Sequence, residues 1–267
     1  MTDGRDVEPD WFGLYTSWEA QQESFNRNRE ARFRMMVAVV RAAVGERPRL
    51  LDVGCGPGPL SRRLLTALPG ARMVAVDVDP VVQRIGREVH GNAGGRLAWV
   101  RADLARPGWA RALPAGRFDG AVSTTALHWL GRRELGRFYA ELAGRLRPGA
   151  VFVNGDYLVW GRPRARLGRL AEAIRRRDLA RASRAARWAP WRDWWRTVER
   201  IPALAPELAE RRRRFASSHP ETEHVSVDDH VRALARAGFT DVDVVWQYLE
   251  DRVLFARRGP ARGRPSR

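Results

Sequence analysis

The chain of 267 residues contains no lysine, a single cysteine and no apolar run long enough to cross a bilayer. Without lysine it can form neither a P-loop phosphate site nor a Schiff base with pyridoxal phosphate, because both need the lysine amine. Cys55 alone cannot make an internal disulfide or a cysteine metal cluster, and a spanning helix needs ~20 apolar residues. The 44% hydrophobic content must therefore hold the fold through an apolar core.

Targeting and metal-binding patterns are also scarce. The N-terminus is acidic and lacks the apolar segment of a secretory signal. The histidines are scattered without the spacing of metal ligands. We therefore expect a cytoplasmic protein that binds no metal and spans no membrane.

Charge of one sign dominates, since 48 basic residues, all arginine, face 31 acidic ones and give a net charge of +17. Clustered cations can bind nucleic acid through counterion release. However, the sequence shows no zinc pattern, RNP-like aromatic motif or homeodomain-like helix. We interpret most arginines as solvated helix faces, and nucleic acid is not the expected partner.

The most informative stretch, residues 49–58, is an apolar run ending in Asp52 and followed by Gly54, Gly56 and Gly58. Only glycine enters positive φ without steric cost, so such a loop can turn sharply beneath a ligand. A glycine loop of this kind, between a strand and a helix, is typical of a nucleotide-cofactor site at the carboxyl end of a parallel sheet. The dinucleotide pattern G-x-G-x-x-G does not fit, because Pro59 stands at its third glycine.

Strand and helix patterns alternate after this loop. Apolar strands are predicted at 49–52, 73–77, 97–104, 118–123 and 151–154. Between the last two, apolar residues recur with a period near 3.6 and predict a helix. Near the end, Ser226 begins a capped helix over 230–237, and the segments 241–246 and 252–256 read as a hairpin.

The acid-x-Gly-x-Gly-x-Gly pattern after the first strand resembles motif I of class I S-adenosylmethionine-dependent methyltransferases. The phrase Ala126-Leu127-His128-Trp129-Leu130 adds similarity to the trans-aconitate-methyltransferase-like group of small-molecule enzymes. The resemblance covers residues 25–157 and fades across the arginine- and tryptophan-rich segment that follows. It implies an α/β fold: a Rossmann-like, seven-stranded, mostly parallel sheet with a C-terminal antiparallel hairpin, helices on both faces and a helical cap.

The resemblance also implies S-adenosyl-L-methionine as cofactor and assigns roles at its methionine end. Gly54, Gly56 and Gly58 would form the floor under the methionine moiety, with the backbone of Cys55 between them mattering more than its thiol. Asp52 would hold the ammonium group. Ser123 and Thr124 would lie near the sulfonium.

At the adenosine end, the resemblance assigns the acids that close the second and third strands. Asp77 would accept hydrogen bonds from the ribose hydroxyls. Val78 would pack on the adenine. Asp103 and the amide of Leu104 would read the adenine amino edge.

For catalysis, His128 is the best-placed candidate because neutral imidazole can take a proton near pH 7. An equally weighted alternative is that His128 and Trp129 simply close the cofactor pocket. Asp156 and Tyr157, at the end of the fifth strand, are weaker candidates.

We divide the chain into an N-terminal lid and helix region (1–32), a methyltransferase core (33–158 and 219–258), a helical cap insertion (159–218) and a disordered tail (259–267). The predicted function is methyl transfer to the O, N or C atom of a small molecule. One inward arginine in the cap would favour an anionic acceptor. The alternatives are methylation of RNA or protein, and a cofactor-binding regulatory protein without turnover.

Overall fold

A computed structural model describes residues 8–25, 28–161, 164–185, 191–216 and 225–260. Nine α-helices and seven strands lie in these ranges. The helices are α1 (Trp11–Phe25), α2 (Arg29–Ala43), α3 (Pro59–Ala67), α4 (Pro80–His90), α5 (Arg132–Arg145), α6 (Ala165–Ala185), α7 (Trp191–Val198), α8 (Ala205–Arg214) and α9 (Val227–Arg236). The strands are β1 (Arg49–Val53), β2 (Arg72–Asp77), β3 (Leu97–Arg101), β4 (Phe118–Thr124), β5 (Leu146–Tyr157), β6 (Phe239–Tyr248) and β7 (Asp251–Arg258).

All seven strands form one sheet in the order β3-β2-β1-β4-β5-β7-β6. The first five strands pair in parallel, and β7 runs antiparallel to both β5 and β6. The predicted parallel sheet with its C-terminal hairpin is therefore confirmed. The strand order reverses between β1 and β4, and ligands of open α/β sheets bind at such a switch point.

Apolar clusters cover both faces of the sheet. On one face, Phe33 and Met36 of α2 and Leu60 and Leu64 of α3 are fully buried against the strands. On the other face, the buried residues include Phe138 of α5 and side chains of α9. Burying both faces explains why the central strands read as continuous apolar runs rather than alternating ones.

The helix α9 begins with the capping box that the sequence indicates. At α9, the Ser226 hydroxyl accepts from the amide of Asp229, whose carboxylate accepts from the amide of Ser226. This capping box satisfies two amides that the helix leaves unpaired, and it starts the helix three residues before the predicted range.

A third apolar cluster lies outside the two sheet faces and joins the N-terminal helix to the segment after β5. Leu14 and Tyr15 of α1 pack with Val81 and Ile85 of α4 and with buried side chains of α7 and α8, among them Trp194. The Trp194 indole also donates to the Ser17 hydroxyl at 3.2 Å. Trp194, Trp195 and Val198 of α7 are buried in this cluster, so this face of α7 serves as core.

Three ion pairs fasten α8 to the carboxyl edge of the sheet and to α4. Arg211 Nε lies 2.8 Å from Asp79 Oδ2, Arg101 lies 2.5 Å from Glu210, and Arg84 lies 3.2 Å from Glu207. The Arg211 guanidinium also lies 3.7 Å from the Trp195 ring centre. Because Asp79 and Arg101 follow or end β2 and β3, this helix stands beside the predicted adenosine end.

The predicted division into lid, core, cap and tail stays an interpretation. Parts of the cap and residues 261–267 of the tail lie outside the described residues, while the amide of Gly259 still bonds the Gly238 carbonyl. Among the described helices, none combines the length and the apolar character needed to cross a membrane.

The packing role of Trp194 in the third apolar cluster can be tested by mutation. Trp194→Ala removes a side chain that is only 3% exposed and should cost about 3–5 kcal/mol, so that α7 and α8 open and become sites of limited proteolysis. Trp191→Ala is the matched control, since Trp191 is 40% exposed. Equal proteolysis of the two variants would contradict a packing role for Trp194.

Candidate functional site

The loop after β1 contains three glycines with positive φ, at Gly54 (70°), Gly56 (54°) and Gly58 (86°). A Cβ on Gly54 would overlap the methyl group of Ala126, in the loop after β4, and one on Gly58 would come within 2.8 Å of the Trp99 ring. Backbone conformation and close approach therefore both require glycine. The loops leaving β1 and β4 touch at this point.

Trp18 of α1 covers the same loop. Two of its ring atoms lie 3.4 and 3.5 Å from where a Cβ on Gly56 would stand, and the Arg29 guanidinium lies 5.5 Å from the ring centre. The aromatic start of the chain thus reaches the glycine loop, and its role as a lid stays a prediction.

Cys55 contributes its backbone. Its amide donates to the Val76 carbonyl at 3.0 Å, beside the amide of Gly54, which donates to the same oxygen at 2.8 Å. The thiol is buried, and burial raises its pKa well above the ordinary value. A protonated thiol is a poor nucleophile, so no thiolate chemistry is indicated here.

Two carboxylates meet at this loop. Asp52 is fully buried: one carboxylate oxygen accepts from the Ser61 hydroxyl at 2.7 Å, and the other, Oδ1, has no hydrogen-bond partner. Asp77 accepts from the amide of Gly56 at 2.7 Å and from that of Asp79 at 2.9 Å. Both side chains thus lie at the carboxyl ends of their strands, where the sequence analysis expected them.

Both carboxyl groups hold their protons more tightly than usual. Burial raises the pKa of Asp52 to about 7, with a smaller contribution from the negative charge of Asp77. Burial likewise raises the pKa of Asp77 to about 6, although its backbone hydrogen bonds oppose the change. A bound cation or hydrogen-bond donor would relieve the cost of charging these groups.

The remaining residues predicted for the adenosine end follow β2 and β3. Val78 is half-buried between Asp77 and Asp79. Asp103 and Leu104 are also half-buried, and Asp103 Oδ1 accepts from the amide of Ala105 at 3.0 Å. Their contacts with adenine stay predictions.

The last two residues of β4, Ser123 and Thr124, are those predicted to lie near the sulfonium. The Ser123 hydroxyl is fully buried and donates to the Val53 carbonyl at 2.8 Å, so it ties β4 to β1. Thr124 Oγ1 lies 3.3 Å from Thr125 Oγ1. Thr125 has a φ of 51°, a left-handed conformation that is rare for a β-branched residue.

His128 forms a pair with Asp156, at the end of β5. His128 Nδ1 lies 2.8 Å from Asp156 Oδ1, while Asp156 Oδ2 accepts from the amides of Leu127 and His128 at 3.1 and 3.2 Å. The Tyr157 amide also donates to Oδ1, at 2.8 Å. A carboxylate on Nδ1 fixes the imidazole orientation and leaves Nε2 as the second nitrogen for another partner.

This pair shifts both pKa values. Burial disfavours the imidazolium, but the charge of Asp156 and its hydrogen bond outweigh burial and raise the pKa of His128. Burial likewise disfavours the Asp156 carboxylate, but His128 and Arg32 outweigh it and lower that pKa. With 33% of the His128 side chain exposed, this imidazole can reach a ligand.

Sequence reasoning missed Arg32 and Asp251. Arg32 is fully buried, and its Nη1 donates to Asp251 Oδ1 at 2.7 Å. The spacing Arg32-Met36-Val40 places Arg32 on the buried stripe of α2, so helical periodicity could have revealed it. Arg32 was overlooked because charged residues usually face solvent.

Comparison with known proteins agrees with this geometry. Residues 50–149 match a family described as a methyltransferase domain. An uncharacterised methyltransferase of Mycobacterium tuberculosis (strain ATCC 25618 / H37Rv) is 36% identical over 104 residues, which are 39% of this chain and 48% of that protein. Trans-aconitate 2-methyltransferase of Azoarcus sp. (strain BH72) is 30% identical over 138 residues, which are 51% and 49% of the two chains.

Among solved structures, magnesium protoporphyrin IX methyltransferase (ChlM) of Synechocystis PCC 6803, crystallised with bound SAH, has the same fold. The TM-score is 0.55 at 17% identity, over 94% of this chain and 97% of that one. Over residues 50–149 the chain carries a methyltransferase domain. It spans about half the length of the curated relatives it matches.

The residues of this methyltransferase domain fit S-adenosylmethionine. Asp52 Oδ1 is a buried acceptor without a partner, which suits a direct or water-mediated bond to the ammonium group. The glycine loop leaves no Cβ over the position predicted for the methionine moiety. Among the described residues, no three His, Cys, Asp or Glu side chains form a group that could hold a metal ion.

Asp52 offers a test of the electrostatics. In the unfolded chain its pKa lies near 3.9, whereas in the fold it is about 7. The free energy of unfolding should therefore fall as pH rises from about 4 to 7, because the folded protein keeps a proton that the unfolded chain loses. Asp52→Asn cannot ionise and should be about 1–3 kcal/mol more stable than the natural protein at pH 8, with little difference at pH 4.

Urea unfolding at both pH values measures this difference, with Asp241→Asn, an exposed site, as control. S-adenosylhomocysteine shares the amino-acid end of the cofactor, so Asp52→Asn should at the same time bind it more weakly. An equal stability difference at pH 4 and pH 8 would contradict the raised pKa.

Proposed function

We propose that this protein transfers the methyl group of S-adenosylmethionine to a small-molecule acceptor, with His128 as general base and Asp156 as its orienting partner. The observation that carries the proposal is the contact between the glycine loop at Gly54 and the loop of Ala126, two residues before His128. This contact brings the predicted donor site and the His128–Asp156 pair to one edge of the sheet.

In this proposal the methionine end lies over Gly54, Gly56 and Gly58, with Asp52 at the ammonium group. Asp77 is preoriented by the amides of Gly56 and Asp79, and a carboxylate has further lone pairs for the ribose hydroxyls. Trp18 supports the proposal because its ring lies over Gly56, where it would shield one side of the loop from water. The ion-paired α8 stands beside the adenosine end in the same way.

The sulfonium supplies an already activated methyl group, so the chain must mainly align an acceptor and remove its proton. The negative Asp156 increases the basicity of His128 and fixes its ring through Nδ1. Neutral Nε2 would take the proton from an acceptor hydroxyl or amine. The imidazolium formed in this step would be stabilised by Asp156.

One observation bears on the chemical class of the acceptor. Trans-aconitate, named for a relative, is a small anion, and this supports an anionic acceptor here. A carboxylate acceptor needs no base, and protonated His128 would then bind it as a cation. The two roles predict opposite pH dependence.

Asp77→Ala should weaken binding of S-adenosylhomocysteine by about one to two decades, because a charge-assisted hydrogen bond contributes roughly 1.5–3 kcal/mol. Isothermal titration calorimetry measures the affinity. Asp119→Ala is the control, since Asp119 lies near the start of β4, at the opposite edge of the sheet. Unchanged affinity in Asp77→Ala would refute the ribose assignment.

His128→Gln should lower kcat by roughly 10²–10⁴-fold while leaving the affinity for S-adenosylhomocysteine nearly unchanged. In the natural protein the rate should rise with pH through a pKa above the ordinary value of 6.5, because the base acts when deprotonated. A rate that falls over that range would contradict the role of His128 as general base. It would indicate that protonated His128 binds the acceptor as a cation.

The overall proposal is tested by incubating the protein with labelled S-adenosylmethionine and a metabolite extract that contains carboxylic acids. A labelled small product is the expected result, and release of the label by mild base would identify a methyl ester. Label in RNA or protein alone would favour those substrates. Tight binding without any transfer would favour a regulatory protein.

A further inference from the structure

Arg32 lies fully buried under the loop after β4 and bonds in two directions. Its Nη1 donates to Asp251 Oδ1 at 2.7 Å, and its Nη2 donates to Thr125 Oγ1 at 3.0 Å. The guanidinium therefore joins α2 both to β7 and to the loop that carries His128. Its planar fork suits this task, because it can hold two acceptors in fixed directions.

The chain makes room for Arg32 at the end of β5. A Cβ on Gly155 would come within 2.5 Å of Met36 Sδ and 2.9 Å of Arg32 Cδ, so both side chains of α2 pack where glycine leaves space. The Gly155 carbonyl accepts from the amide of Thr125 at 3.0 Å. Arg32 and Gly155 thus hold Thr125 from its side chain and from its backbone.

Thr125 needs this support. A β-branched residue with a φ of 51° carries backbone strain, which persists only when surrounding contacts enforce it. The next residue, Ala126, packs on Gly54, and the amides of Leu127 and His128 bond Asp156. A shift of Thr125 would therefore move the loop against both the donor site and the base.

We propose that Arg32 is a positioning residue for methyl transfer: by holding Thr125, it fixes the loop that joins Gly54 to the His128–Asp156 pair. The proposal rests on the proposed function for its catalytic consequence. The structural part of the proposal, that Arg32 fixes the position of His128, can be tested without an acceptor.

The charged groups around His128 define the expected readout. Asp156 of β5 raises the pKa of His128, and the positive Arg32 of α2 opposes it. His230 of α9, whose pKa burial lowers to about 4, is neutral near pH 7. Asp251 and Tyr157 stand beyond Arg32, and burial raises the pKa of each, that of Tyr157 to about 12.

The test uses Arg32→Met combined with Asp251→Asn, so that no carboxylate is left without its partner. A second variant, Thr125→Val, keeps every charge and removes only the hydroxyl that Arg32 holds. Arg252→Met is the matched control, because Arg252 is also buried and lies next to Asp251 but bonds Leu158 and Gln247. NMR follows the five histidines, with His128 assigned from the spectrum of His128→Gln.

In R32M/D251N the pKa of His128 should rise, and its Nδ1 proton should exchange with water at least tenfold faster than in the natural protein. T125V should show the faster exchange as well, although the charge of Arg32 is kept. The control should match the natural protein in both readouts. Once an acceptor is known, both test variants should lose about 10–100-fold in kcat, with the affinity for S-adenosylhomocysteine nearly unchanged.

Unchanged exchange in T125V overturns the proposal, even if R32M/D251N alters the titration, because Arg32 would then act through its charge alone. If R32M/D251N fails to fold, T125V decides by itself. Failure of the natural protein to bind S-adenosylhomocysteine would count against the proposed function only, since the His128 readouts need no cofactor.

Discussion

The contact between the loops leaving β1 and β4 governs the whole site. Parallel strands that neighbour each other release their chains at the same edge, and here the reversal of strand order sends the following helices to opposite faces. The two loops can then meet only if one lacks a side chain, which is why Gly54 faces Ala126. The amides of Gly54 and Cys55 draw the first loop toward Val76 of β2. Between the two loops lies backbone without side chains, beside the imidazole of His128. Trp18 covers part of this surface.

Two buried aspartates at this edge show how hydrogen-bond donors and nearby charges set the direction of a carboxyl group's pKa shift. Asp52 has the Ser61 hydroxyl as partner of one oxygen and none for the other, so burial dominates and its pKa rises. Asp156 receives three backbone amides, the His128 ring and the charge of Arg32, and its pKa falls. The first is an acceptor that gains from a cationic ligand. The second is a fixed anion that serves the histidine.

The strand-ending acids and the glycine spacing made the sheet, its hairpin and the position of the cofactor loop predictable, because each arises from local chain geometry. His128 could be selected by its place after the fourth strand, but its pairing with Asp156 depends on strands far apart in sequence. Arg32 and Asp251 are separated by 219 residues, and no local pattern reports such a pair. Composition also misled, since a chain with so many solvated arginines gives no reason to single out a buried one.

The absence of lysine bears on this buried arginine. A lysine ammonium inside a protein readily loses its proton, since burial lowers its pKa by up to several units, whereas a guanidinium stays protonated. An arginine therefore suits the buried position between Asp251 and the loop of His128 better than a lysine would. His230, with a pKa of about 4, and Tyr157, with one of about 12, both keep their neutral forms near pH 7. Of the two described imidazoles in this group, His230 has a lowered pKa and His128 a raised one, and a raised pKa makes His128 the stronger base.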